Sequence, residues 1–122
     1  MNEKSFNNYA KFILDQAKGV RDAKKTEYAA EKDRLSNFRK AAAIQGVSVP
    51  IAIRGMMVKH TVSIYDLIEG EFGSDSSPRN SYDLTLWEEK IVDQINYLLL
   101  LYSAVVESKV YNSEGKKNAK SS

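Results

Sequence analysis

The sequence predicts an all-α fold, a bundle of about four or five helices, from three observations. Thr85 to Tyr111 reads as one long helix whose second half, Tyr97-Leu98-Leu99-Leu100-Leu101-Tyr102, is apolar on every side. Gly46, Ser48 and Pro50 read as the stop of one helix and the capped start of the next. No stretch shows the two-residue alternation of a strand.

A helix apolar all round must be enclosed by other helices, from its own chain or from a second copy, so a symmetric homo-oligomer is expected. Its first half differs. Glu89, Asp93 and Asn96 follow one another on the row that continues as Leu100 and Ala104, so Asp93 and Asn96 are expected to be partly buried and to need partners. Thr85 and Glu88 have the spacing of a capping box, with Asp83 adding negative charge at the positive end of the dipole.

A chain of 122 residues is one domain, expected over residues 1–111, with 112–122 as a disordered polar tail. It has no cysteine, which excludes disulfides, thiolate metal sites and thiol nucleophiles. No stretch has signal-peptide or membrane-spanning character, so a soluble, cytoplasmic protein with no membrane partner is expected. Up to Gln45 bases outnumber acids, and from Asp66 to Asp93 the balance reverses. A dipolar chain of this kind argues against duplex nucleic acid as a partner.

In chain order, Ser5 or Asn7 caps a first helix to about Lys18, with Tyr9, Ile13 and Ala17 on one row. Gly19 interrupts or ends it, and a mostly charged stretch from Val20 to Ala30 follows. The segment from Glu31 to Ile44 places Leu35, Phe38 and Ala42 on one face, with Arg34, Asn37 and Ala41 on the next row. Arg34 and Asn37 can reach one ligand from adjacent turns; alternatively Arg34 pairs with an acid and Asn37 satisfies a turn.

The next helix, about Val49 to Ile68, puts Ile53, Met57, His60, Ile64 and Leu67 on one stripe, where His60 reads as a satisfied core residue rather than a ligand. It forms a central antiparallel pair with the Thr85 helix. Lys59 lies on the other face in line with Gly55, whose cost of about 1 kcal/mol against alanine suggests a close approach by a helix or ligand. Glu69 to Asp83 is the one loop, either an ordinary connection or a lid carrying Phe72, Arg79 and Tyr82. There is no internal repeat and no heptad register of coiled-coil length.

No phosphate-binding glycine loop and no Ser-His-acid set occurs. Glu88, Glu89 and Asp93 are the paired carboxylates, facing a helix that offers Lys59 and His60, which suits an anion better than a metal. Tyr28…Asp33-Arg34-Leu35-Ser36-Asn37-Phe38-Arg39-Lys40-Ala41-Ala42, Gly46-Val47-Ser48, Met57-Val58-Lys59-His60 and Glu89…Asp93…Tyr97 together resemble small phage all-α proteins related to MazG-like nucleotide pyrophosphohydrolases and nucleotide-modification-associated domains. MazG-like enzymes hold magnesium with Glu-Glu-x-x-Glu and Glu-x-x-Asp helices. This sequence keeps Asp93 at best and has no Glu-Glu-x-x-Glu on the Lys59 helix. A fainter resemblance is to oligomeric phage sponges that sequester the cyclic nucleotide signals of defence systems such as CBASS.

These resemblances imply a MazG-like bundle that captures a nucleotide or cyclic oligonucleotide in an inter-subunit pocket, in an infected bacterial host, without metal or other cofactor. Arg34, Arg54 and Lys59 would meet phosphates; Asn37, Asp93 and Asn96 would read base edges or ribose hydroxyls; Trp87, Tyr97 or a loop aromatic would stack on the base. The rival expectations are a magnesium-dependent pyrophosphohydrolase using Glu88, Glu89 and Asp93, and a structural protein whose buried polar residues only fix helix register.

Overall fold

The computed structural model describes residues 1–27, 33–74 and 79–121, and among them every regular element is helical: α1 (Glu3–Glu27), α2 (Ser36–Gln45), α3 (Val49–Phe72) and α4 (Leu84–Ser121). Tyr28, Glu31, Lys32, Ser76, Ser77 and Pro78, which entered the sequence reading, lie outside the described residues. The fold is built on α3 and α4, which run antiparallel: Thr61 meets Gln94 near the middle, and Glu71 meets Trp87 near the connecting end. α2 packs on α3, and α1 packs on α4.

Local chemistry sets most boundaries. The Asp33 carboxylate accepts from the Leu35 N–H at 3.0 Å and its carbonyl from the Ser36 N–H at 3.1 Å, a turn that launches α2. Gly46 ends α2 at φ 67°, a left-handed position that a side chain resists. The Ser48 hydroxyl accepts from the Ile51 N–H at 3.4 Å, with Pro50 in the first turn of α3.

Several boundaries differ from the sequence reading: α1 starts at Glu3, where the Asn2 side-chain oxygen accepts from the Ser5 N–H at 2.8 Å in place of a Ser5 or Asn7 cap, and α2 starts at Ser36. α1 passes through Gly19 without a break, because Ala17 on one side and Arg21 on the other are both fixed on α4. That anchoring outweighs the cost of about 1 kcal/mol for glycine in a helix. α3 continues a turn past Ile68 to Phe72, and Gly70 sits inside it because the Tyr82 ring lies where its side chain would be. The close approach is thus at Gly70; Gly55 is exposed, with nothing near its missing side chain. α4 begins at Leu84, with the Leu86 N–H on the Asp83 carbonyl at 3.0 Å, so Thr85 stands within the first turn. Its helical backbone runs to Ser121, past the Tyr111 end set by the sequence reading and across the segment read as a tail.

Leu35, Phe38, Ile53 and Ala104 form the centre of the core, with Met57, Tyr97, Leu100 and Leu101 packed around them. The stripe of Ile53, Met57, His60, Ile64 and Leu67 faces inward as its spacing predicts, with Ile53 and Leu67 buried. The opposite faces are also apolar. On α3, Ile51, Val58, Val62 and Tyr65 are exposed; on α4, Leu84, Ile91, Leu98, Tyr102 and Val106 are exposed. Among the described residues no single helix is long and apolar enough to cross a membrane.

Ile53 is completely buried. Its replacement by alanine is expected to cost about 2–5 kcal/mol by leaving a cavity where α2 crosses the α3–α4 pair. Urea unfolding followed by circular dichroism should show a lower midpoint at unchanged slope.

Candidate functional site

Residues on the inner face of α4 carry most of the polar chemistry inside the bundle. Asn96 is only 8% exposed. Its carbonyl accepts from the Arg21 guanidinium at 2.8 Å, and its amide donates to the Ala17 carbonyl at 3.2 Å. Arg34 in turn donates to the Arg21 carbonyl at 2.8 Å. This chain of bonds fixes α1 on α4 and ties the start of α2 to α1. The expectation that Asn96 is buried and partnered holds, and its partners come from α1.

One turn before Asn96, half-buried Asp93 faces α3, with Oδ2 3.8 Å from His60 Nδ1. That separation is too long for a hydrogen bond and becomes a charge pair only when the imidazole is protonated. The His60 ring lies 4.6 Å from the Tyr97 ring, and Tyr97 meets Phe38 edge-on at 6.0 Å. Tyr97 is therefore enclosed by aromatic neighbours of its own chain. Beside this line, Gln94 donates to the Thr61 hydroxyl at 3.1 Å across the same seam.

Trp87 belongs to a separate corner. Its indole N–H and the Tyr82 backbone N–H both donate to the Glu71 carboxylate, at 3.1 and 2.8 Å, and its ring lies 5.8 Å from Phe72. Asn80 closes the corner by donating its backbone N–H to the Gly70 carbonyl at 2.9 Å and its side-chain amide to the Tyr82 hydroxyl at 3.0 Å. Tyr82 and Phe72 are thus engaged with α3 and α4, as in an ordinary connection, while Arg79 is exposed.

The remaining residues of the expected site, Asn37, Arg54 and Lys59, are exposed and have no side-chain partner among the described residues. Arg54 and Lys59 lie by helical register on either side of the outward apolar stripe of α3. The eight expected residues thus divide among an internal seam, a corner and an outer surface, and share no single cavity.

A groove of about 320 Å³ does occur, between the first turns of α2 and α3 and the middle of α4, lined by Leu35, Arg39, Val49, Pro50, Ala104 and Glu107 among others. It contains none of the eight. Its charge is spoken for, since the Arg39 fork holds Asp33 at 2.6 Å and Glu107 at 2.7 Å. The Arg39 hydrogen bond holds both carboxyls below their usual range, helped at Asp33 by the Leu35 N–H, and Arg39 itself is pushed up.

Sequence reasoning missed two features. The Arg39–Glu107 bridge had no local signal, because its partners are far apart in the chain. Tyr65, 68% exposed on the outer face of α3, was signalled by the seven-residue spacing of Ile51, Val58, Tyr65 and Phe72.

Asn96→Ala is expected to lower stability by about 1–3 kcal/mol in urea unfolding, since it removes the bonds to the Ala17 carbonyl and the Arg21 guanidinium and leaves a gap at the α1–α4 contact. The Arg39 clamp adds a pH dependence of definite sign. Carboxyls depressed in the folded state stabilise it above their unfolded pKa, and that contribution disappears as pH falls through the folded values. Both groups are exposed, so the effect is small. The stability gap between the wild type and Glu107→Gln should narrow as the pH of the unfolding buffer is lowered from about 5 to 2.

Compared with known proteins, the chain matches no family model, no curated protein and no solved structure.

Proposed function

We propose that this chain is a non-catalytic binding protein that sequesters a nucleotide or cyclic oligonucleotide between the subunits of a homo-oligomer. The setting proposed is a phage-infected bacterium, where capturing such an immune signal blunts the host's defence. The observation that carries the reading is the outer face of α3. There two cations without side-chain partners among the described residues, Arg54 and Lys59, flank an apolar stripe that includes the exposed ring of Tyr65.

A nucleotide asks for that combination, cations for phosphate oxygens and a flat apolar ring for the base. Covering the stripe with a second copy would bring the same groups in from both sides and exclude water from the pocket between them. Asn37 remains available to read polar edges. Asn96 and Tyr97 already serve the packing of α1 and α2, so they shape the scaffold in this reading, and Trp87 does so at the α3–α4 corner.

The pyrophosphohydrolase reading draws less support. Among the described residues no three His, Asp or Glu side chains gather closely enough to share a metal ion. Half-buried Glu88 falls by register on a different side of α4 from Asp93, and Glu89, one turn before Asp93 on its own row, is exposed.

Equilibrium dialysis against nucleoside triphosphates and cyclic di- and trinucleotides, in EDTA and in magnesium, tests the proposal. One ligand should be retained in EDTA and recovered intact after heating the protein. Arg54→Ala and Lys59→Ala should each weaken retention about tenfold or more with helicity unchanged, the loss expected for a charged hydrogen bond to phosphate. Retention of none of the panel, or magnesium-dependent release of pyrophosphate, overturns it.

A further inference from the structure

α1 and α3 cover two sides of α4 and leave an arc open between them. α1 sits at Asn96, and α3 sits at Gln94, Asp93 and Tyr97. Along the open arc, Glu88, Ile91, Ile95, Leu98, Tyr102, Val105 and Lys109 recur at alternating steps of three and four. This is the repeat of a helix-pairing seam, sustained for three heptads. It is short, which is why the sequence as a whole shows no register of coiled-coil length.

The apolar members are open to solvent along most of the arc, Leu98 at 48% and Tyr102 at 69%. With Leu84, Leu99, Val106 and Val110 beside them, they present on the order of 500 Å² of apolar surface, against ~800 Å² per partner in a standard stable interface. A patch of this size is near the largest that a monomer exposes, and such patches often serve binding.

The charges on the arc choose the occupant and its direction. Among the described side chains of the arc, Glu88 near one end and Lys109 near the other are the ionised ones, and the point midway between them falls at Leu98 and Leu99. A parallel copy would set Glu88 against Glu88 and Lys109 against Lys109. An antiparallel copy related by a two-fold axis at Leu98–Leu99 sets each Glu88 beside a partner's Lys109, twice. The same register brings Ile91 opposite Val106 and Ile95 opposite Tyr102 of the partner, so apolar residues meet apolar ones at these steps of the seam.

We propose that two copies of this chain associate through the outward faces of α4, antiparallel, with the two-fold axis at Leu98–Leu99. The inference shares with the ligand reading only the premise of self-association: it uses a different helix, and the cross-linking and charge-reversal tests of its register contain no nucleotide.

Since the chain has no cysteine, single cysteines report the register directly. An equimolar mixture of Glu88→Cys and Lys109→Cys proteins, oxidised with diamide, should give a mixed disulfide dimer, while neither variant cross-links with itself. Leu98→Cys alone should cross-link to a homodimer. Sedimentation equilibrium of the unmodified protein should show self-association. Glu88→Lys should weaken it about tenfold and Glu88→Lys with Lys109→Glu should restore it, as expected of two exchanged ion pairs. A strictly monomeric wild type, self-cross-linking of Glu88→Cys, or no rescue in the double reversal overturns the proposal. Leu98→Glu, monomeric with native helicity, would show that the face serves assembly and not folding; a Leu98→Glu protein that stays associated also overturns it.

Discussion

From Tyr97 to Val106 α4 is apolar around most of its circumference, and the packing of the whole chain follows from the need to cover that stretch. α3 takes one side along its full inner stripe, and α1 takes another over a shorter length centred on Ala17 and Arg21. α2 is too short to reach along α4, and contributes Leu35 and Phe38 where it crosses the pair. Three helices of this length cannot enclose a fourth completely. The residual apolar surface is therefore a property of the chain's length and order of elements, not of any one substitution.

Within that packing, the polar residues of α4 decide where each neighbour sits. Apolar helices slide past one another at small cost, because Leu against Leu is nearly as good one turn away. An asparagine that must find a guanidinium and a carbonyl at hydrogen-bond distance is not so tolerant, and Asn96 sets the height of α1 on α4 in this way. Gln94 with Thr61 does the same between α4 and α3. The Arg39 fork, bound to Asp33 on one side and Glu107 on the other, sets the angle at which α2 leaves the bundle.

What the sequence made legible was what lies close together along it. The left-handed Gly46, the Ser48 cap and the inward stripe from Ile53 to Leu67 are each decided within a few residues, and each could be read directly. That Asn96 is buried was also legible, since its row turns apolar one turn later. Its partners were not, because Ala17 and Arg21 are far away in the chain and no local pattern announces them. Gly19 misled for the matching reason: propensity favours a break there, and tertiary anchoring overrules it. Gly55 and Gly70 exchanged roles because only the return path of the connection, through Tyr82, determines which glycine is approached. The expected site residues were chosen for chemical type, and type alone does not say that Tyr97 and Trp87 are already occupied by neighbours in their own chain.

The corner at Glu71 bears on how the chain comes together. One carboxylate oxygen gathers the Tyr82 backbone N–H and the Trp87 indole N–H, and Gly70 gives the Tyr82 ring room to lie flat. Bringing α3 and α4 side by side closes only the short connection between Gly73 and Asp83, so little chain entropy is lost before the long antiparallel seam begins to form. Docking α1 requires a contact between residues near the start of the chain and the middle of α4, a closure many times longer. The helical hairpin is accordingly the natural nucleus, with α1 joining a preformed surface, and a nascent chain cannot place its first helix until its last has been made.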